Sequence, residues 1–350
     1  MAEHRDFIPL DQAKPPFFVG VDLGGTNTKV GLVDDAGRPL AWLSIPTRVE
    51  RGPDDAVLRM GKTIKQVIQK AGLKASAVPR VGLGSPGTMD IPAGMLLKPV
   101  NLRGWDDYPL RDKLAAACGF PVAFENDANA AAYGEFWVGS GRDYSSLVLL
   151  TLGTGIGCGI IVGDLLLDGQ NSHGGECGHI IIDSSAEARW CNCGQRGHLE
   201  AYASATAVIR RTRDVLDAGL PSSLHERLAA GDELTPKLVA EEAEAGDRLA
   251  LELVMDTARY LGIGIVTLIH TIDPTGVLLG GAMTFGGEKS PLGKKFLARI
   301  RQEVKSRAFE TLARRTKIEY ASLGGDAGYI GAAGVARLEH MRTSRSLAGT

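Results

Sequence analysis

Two stretches of this chain resemble each other, VGVDLGGTNTKVGLV at 19–33 and LLTLGTGIGCGIIVG at 149–163. Each reads as a β-rich run, a turn of glycine and threonine, and a second β-rich run. They begin about 130 residues apart, close to one domain length. The 350 residues suit about two domains. A duplicated α/β architecture follows, with one hairpin opening each half and a cleft between the halves. Glycine supports it: 45 residues, against a usual share of about 7%. No low-complexity tract absorbs the excess, so the glycines belong to turns and close backbone approaches.

Composition removes several classes. Lys and Arg number 39 against 41 Asp and Glu, for a formal charge of −2. That balance argues against coating nucleic acid or an anionic membrane. The opening MAEHRDFIPLDQAKPP is polar and does not read as a signal peptide. The run Tyr144–Gly163 is free of charge and long enough to raise the question of a membrane span. Its alternating Gly153, Gly155, Gly157 and Gly159 suit a strand pair better. The five unevenly spread cysteines make no disulfide framework, so a reducing cytoplasm is expected.

The element pattern is mixed. Strands are expected at 17–23, 30–33, 81–83, 122–124, 147–152, 158–162, 277–279 and 318–321. Helical spacing covers 54–71, 110–118, 126–136, 205–218, 236–245, 247–271 and 327–341.

The turns suit a nucleotide. Glycine lets backbone N–H groups converge on an anion, threonine adds a hydroxyl, and Asp22 beside the first turn can hold Mg²⁺ through water. Neither turn has the P-loop pattern. The glycines of 153–159 are followed by a strand where a dinucleotide fold needs a helix. With the strand entering Gly280-Gly281, the two hairpins fit a nucleotide clamped between domains.

Residues 173–198 hold six of the chain's twelve Cys and His residues. A tetrahedral Zn²⁺ needs four N or S donors. Cys191 and Cys193, His198 five residues on, and His179 twelve residues upstream can supply them. Cys177 lies two residues before His179 and is the competing donor if that segment is extended; a water is the other alternative.

These residues resemble the ROK family (repressors, open reading frames, kinases), and within it the bacterial glucokinases. The resemblance spans roughly 17–340. It is carried by DLGGTNTK (22–29), GLGSPG (82–87), VNLRGW (100–105), ENDANAAAYGE (125–135), Leu152 to the GECGH of 175–179, and CNCGQRGHLE (191–200). It implies an actin-like, ribonuclease H-like duplicated, two-domain sugar kinase fold with an interdomain cleft. The expected domains are 16–134, completed by the C-terminal helix 326–342, and 135–325, carrying the zinc motif 179–198. The implied activity is ATP-dependent phosphorylation of glucose at the 6-hydroxyl, with Mg²⁺ accompanying ATP and Zn²⁺ in a structural role.

Position by position, the resemblance implies Asp127 as general base. Asn126 and Asn101 hold neighbouring hydroxyls, and Gly87 lies beside the sugar. Glu176, His179 and Glu200 grip its far side, with His179 giving one ring nitrogen to zinc and the other to the sugar. ATP falls to Asp22, Gly24, Gly25, Thr26, Asn27 and Lys29 on the first hairpin, and to Gly153, Thr154, Gly155, Gly280 and Gly281. The chain departs from the family at His198, where the pattern has Cys, and at Cys177, commonly Ile, which reads best as a small core residue. A homodimer or homotetramer is expected, with no nucleic acid or membrane partner.

Other readings differ by class. A sugar-responsive repressor of the same family needs a helix-turn-helix, and no such pattern precedes Phe17. A non-catalytic sugar binder has no use for Asp127 and two phosphate hairpins. Kinases for N-acetylmannosamine, N-acetylglucosamine or fructose are the alternative, because spacing does not distinguish a hydroxyl from an acetamido group at C2.

Overall fold

The computed structural model describes residues 7–99, 101–163 and 165–348. Val100, first residue of the VNLRGW segment, and the start of the polar N-terminal stretch lie outside them.

The elements run β1 (Phe18–Leu23), β2 (Asn27–Val33), β3 (Pro39–Pro46), α1 (Pro53–Lys70), β4 (Val81–Ser85), β5 (Met89–Asp90), β6 (Met95–Leu96), α2 (Leu110–Cys118), β7 (Val122–Asn126) and α3 (Asp127–Trp137). Then come β8 (Ser146–Leu152), β9 (Ile156–Val162), β10 (Leu165–Leu166), α4 (Glu200–Ala203), α5 (Ala205–Asp217), α6 (Leu224–Ala229), α7 (Pro236–Ala245) and α8 (Arg248–Ile272). The chain closes with β11 (Gly276–Gly281), α9 (Pro291–Arg307), α10 (Glu310–Arg315), β12 (Lys317–Tyr320) and α11 (Ala327–Ala348). The strand β3, its residues bracketed by Pro39 and Pro46, and the helix α9 were not expected from the sequence pattern.

Two five-stranded sheets carry the same order, β3-β2-β1-β4-β7 and β10-β9-β8-β11-β12. In each, the first strand of a glycine hairpin is central, the next two strands lie to one side, and two parallel strands lie to the other. The charge-free run 144–163 is therefore β8, a turn and β9. No helix of the described residues is long and apolar enough to cross a membrane.

The chain divides into two compact units: Met1–Asp143 with Gly159–Gly175 and Leu323–Thr350, and Tyr144–Cys158 with Glu176–Ser322. In the first, α11 lies directly on strand backbone. A Cβ built on Gly20 of β1 would stand 1.8 Å from the Tyr329 carbonyl oxygen, and one on Gly82 of β4 would stand 1.8 Å from that of Ala332. Gly331 repeats the device against Ala130 of α3. Glycine at these three positions lets the last helix seat α3 and the central strands as one body. The other sheet face is filled by α1 and α2 residues such as Met60, Ile64 and Leu114, all buried. In the second unit, α8 buries an apolar stripe through Leu253, Leu261 and Ile265, with residues recurring at helical spacing.

Candidate active site and metal centre

In the first unit, β7 runs straight into α3. Asn126 is the N-cap: its Oδ1 accepts the N–H groups of Ala128 (2.9 Å) and Asn129 (3.2 Å). Asp127 is the first helical residue and its Oδ1 accepts the Ala128 N–H at 2.8 Å. The capping role that an isolated Asn-Asp pair suggests thus falls to Asn126, and Asp127 is presented half-buried at the positive end of α3. β4 packs beside this turn at Gly84, where a Cβ would lie 3.3 Å from Ala130 Cβ and 3.7 Å from Asp127 Cα. Gly87 follows at φ +98°, and a Cβ on it would fall 2.6 Å from Pro99. No other residue fits that corner without strain.

The turn Gly24-Gly25-Thr26 sits beside these residues. A Cβ on Gly25 would lie 3.0 Å from the Asn101 carbonyl oxygen, so the hairpin and Asn101 meet. Thr47, fully buried at the end of β3, fixes the turn: its Oγ1 donates to Gly24 O (2.6 Å), and its N–H donates to Thr26 O (2.8 Å). Sequence reading gave Thr47 no role. Gly25, Thr26 and Asn27 are exposed. Lys29 Nζ donates to Gly325 O at 2.7 Å and stands 4.0 Å from Asp22. Burial raises the Asp22 carboxyl, and Lys29 pulls it back only in part. A bound cation would supply the compensating charge.

The second unit repeats the arrangement. The Gly153-Thr154-Gly155 turn is closed by Gly153 N–H to Gly155 O at 3.0 Å, and Thr206 Oγ1 donates to Thr154 O at 2.9 Å. Gly281 has φ +87°, and a Cβ on it would lie 2.3 Å from Leu152 O, so the end of β11 abuts the end of β8 where this turn begins. Gly280 and Gly281 are therefore brought to the second hairpin. Glu200 opens α4; its Oε2 accepts the Ile156 N–H at 2.9 Å, and a Cβ on Gly155 would lie 2.3 Å from that oxygen.

The remaining Glu200 oxygen leads to the candidate metal ligands, with Cys191 Sγ 3.6 Å from Oε1. The ligand atoms of His179, Cys191, Cys193 and His198 all lie within 4.8 Å of one another. The separations are 3.2 Å between the two Nδ1 atoms, 3.3 Å from Cys193 Sγ to His198 Nδ1 and 3.8 Å from Cys191 Sγ to His179 Nδ1. Donors at zinc bond lengths on a tetrahedron stand roughly 3.3–3.8 Å apart, so these residues fit Zn²⁺. The knuckle that gathers them turns at Gly194 (φ +89°) and Gly197 (φ +80°), and a Cβ on Gly197 would lie 1.9 Å from Asp183 O. Burial, then the neighbouring His179, lowers His198, which keeps its ring neutral and ready to ligate.

Cys177 lies elsewhere. Cys177–His179 forms a 3-10 turn rather than an extended segment, so the two side chains do not share a face. Cys177 is buried against the Cys158 thiol, outside the donor cluster. His179 Nε2, the ring nitrogen away from the cluster, is 3.8 Å from Glu176 Oε2.

The chain as a whole has counterparts among known proteins. A model of the ROK family matches residues 18–339. The chain belongs to the ROK family. It is 35% identical over 317 residues to a glucokinase of Thermotoga maritima, covering 91% of this chain and 96% of that one. Among solved structures, a ROK hexokinase from Thermus thermophilus superposes with TM-score 0.77 at 31% identity, over 93% of this chain and 99% of the other. A ROK family glucokinase from Streptomyces griseus, in complex with glucose and AMPPNP, gives TM-score 0.72 at 32% identity, over 92% and 99%. The duplicated sheets of this ROK chain are those of the actin-like sugar kinase fold.

Proposed function

We propose that this ROK protein is an ATP-dependent hexose kinase whose substrate is glucose, phosphorylated at the 6-hydroxyl to give glucose 6-phosphate and ADP. The observation that carries the reading is the start of α3, where Asn126 takes the cap and Asp127 is held at the helix terminus. A carboxylate fixed there accepts the proton as the 6-hydroxyl attacks the γ-phosphorus. The cap consumes Asn126 Oδ1, so the amide offers its N–H groups to a sugar hydroxyl. Asn101 binds a neighbouring hydroxyl and Gly87 leaves room for the ring. Glu176, His179 and Glu200 hold the opposite side of the sugar.

Backbone N–H groups of the two turns receive the phosphates, with Gly24, Gly25, Thr26 and Asn27 on one and Gly153, Thr154 and Gly155 on the other. Gly280 and Gly281 keep the second turn open to the nucleotide. Asp22 and Lys29 face the phosphate end, and Mg²⁺ bound with ATP supplies charge neutralisation there. His179, Cys191, Cys193 and His198 hold Zn²⁺, whose contribution is to fix the His179 ring so that Nε2 faces the Glu176 side. Five thiols without a disulfide support a reducing, cytoplasmic setting.

A phosphorylation screen across glucose, N-acetylmannosamine, N-acetylglucosamine and fructose, with ATP or polyphosphate as donor, tests this. Glucose with ATP is expected to give the highest kcat/KM. A clearly higher value for another hexose would replace glucose, and no turnover with any of them would remove the kinase reading.

A further inference from the structure

Directly behind the Asn126–Asp127 turn lie two carboxyl groups that the proposed reaction does not use. Glu125, on β7, is 4% exposed. Its Oε1 accepts the backbone N–H of Asn126 at 2.8 Å and the Asn129 Nδ2–H at 3.0 Å. The same Nδ2 donates to Asp168 Oδ1 at 3.2 Å. One buried amide therefore bridges two acids. Its two hydrogens are committed to them while Asn129 Oδ1 has no hydrogen-bond partner. An amide that leaves its acceptor unpaired in a buried site is held there by what its donors do.

Asp168 belongs to the tight loop that follows β10. Its carbonyl oxygen accepts the Gly174 N–H at 2.7 Å, and a Cβ on Gly174 would lie 2.4 Å from Leu167 O. The loop also carries Ser172, whose Oγ accepts the Ile91 N–H at 3.0 Å. Glu125 thus joins this loop to the backbone of the residue that caps α3.

Glu125 is buried and Asp168 half-buried, and two carboxylates bridged by one amide in such a setting resist ionising together at neutral pH. We propose that Glu125 and Asp168 hold a single proton between them and act as a positioning pair for Asp127, Glu125 donating that proton to Asp168 while its other oxygen fixes the Asn126 N–H. The inference rests on the reading of Asp127 as general base. Burial first, then the Asp168 charge, push the Glu125 carboxyl up to about 8, and burial also raises Asp168. The surroundings supply little compensation. β4 places Gly84 opposite Glu125, and α3 contributes the neutral Asn129. Arg342 of α11 pulls Asp168 downward from an exposed position. When the shared proton leaves, two negative charges confront each other beneath the turn, and the turn and the 167–174 loop separate.

The test is the pH profile of kcat/KM for glucose from about pH 6.5 to about 9.5 in wild type, Glu125→Gln, Asp168→Asn and Asp127→Asn. Wild type should fall as pH rises above about 8. Glu125→Gln keeps an acceptor for Asn126 and a permanent donor toward Asp168, so it should stay within about threefold of wild type at pH 7 and lose the alkaline fall. Asp168→Asn removes the second charge and should flatten the same limb, which covers the case in which Glu125→Gln does not fold. Asp127→Asn should be slow at every pH; rapid turnover there overturns the base reading without touching the pair. Independently of activity, infrared difference spectra should show a protonated carboxyl at pH 7 that disappears in Glu125→Gln and at alkaline pH. A missing band, or an alkaline limb that persists in both pair variants, overturns the proposal.

Discussion

The Nδ1 atoms of His179 and His198 stand 3.2 Å apart, the spacing of two nitrogen donors on one tetrahedral ion. A single ion bound by both nitrogens accounts for that distance. One Zn²⁺ per chain is the expected stoichiometry. His198→Cys should keep the metal, because thiolate is an equally good donor. His198→Ala should lower zinc affinity by about 10-fold or more and raise the KM for glucose, since His179 loses its fixed ring plane. Metal analysis with parallel kinetics checks this; full occupancy and unchanged glucose affinity in His198→Ala would remove His198 as a ligand.

Asp127→Asn should lower kcat by about 10²–10⁴, the usual range for loss of a general base. The Asn side chain still offers an oxygen to the Ala128 N–H that Asp127 Oδ1 accepts at 2.8 Å, so the start of α3 stays intact. Glucose binding measured by calorimetry should persist. Near-normal turnover in a clean preparation would move the base elsewhere.

The candidate site was legible in the sequence wherever its parts are close in the chain. The C-x-C, the following His198 and the glycines at 194 and 197 fold over a few residues, so spacing alone brings three donors together. The Asn-Asp start of α3 was legible for the same reason, as a helix expected from 126. What the pattern could not supply were partners set by the fold. Asp168 reaches Asn129 from 39 positions later, and Thr47 reaches the Gly24 turn from the end of a strand whose residues are bracketed by prolines. Cys177 was open as a ligand only because alternation was assumed where the chain makes a 3-10 turn. The helix α9 did carry a signal, Leu292, Phe296, Leu297, Ile300 and Val304 at helical spacing, although four Lys and Arg residues lie among them.

Acid should loosen the first unit through Asp34, whose side chain has no exposed surface. Its carboxylate accepts the N–H groups of Lys14 (3.0 Å), Ala36 (3.0 Å) and Arg38 (2.9 Å), together with the Arg38 guanidinium at 2.6 Å. Burial alone would raise the carboxyl; the guanidinium and backbone donors outweigh it and hold the group below the usual carboxylate range. A lowered folded-state value means the contribution is complete above the unfolded value of about 4 and is lost as pH falls through the folded one. Asp34→Asn should therefore cost on the order of 2 kcal/mol at neutral pH and progressively less below about pH 4. Urea denaturation at the two pH values measures it; an equal cost at both would show that the charge is not what matters.

Glu200 links the second hairpin to the metal knuckle, and the two oxygens make separable predictions. Oε2 accepts the Ile156 N–H at 2.9 Å, and Oε1 lies 3.6 Å from Cys191 Sγ. Glu200→Gln can keep the first contact through its amide oxygen, so the hairpin and the ATP it is proposed to hold should be little affected. The negative charge is lost, and with it the charge assistance to the sugar hydroxyl that Glu200 is proposed to hold, a difference of about 1–1.5 kcal/mol, or roughly 5–10-fold in the KM for glucose. Glu200→Ala removes both contacts and leaves the Ile156 N–H without its acceptor, so the KM for ATP should rise as well. Steady-state kinetics with each substrate varied separates the two. Equal increases in both KM values for Glu200→Gln would mean that Glu200 serves the hairpin alone and does not touch the sugar.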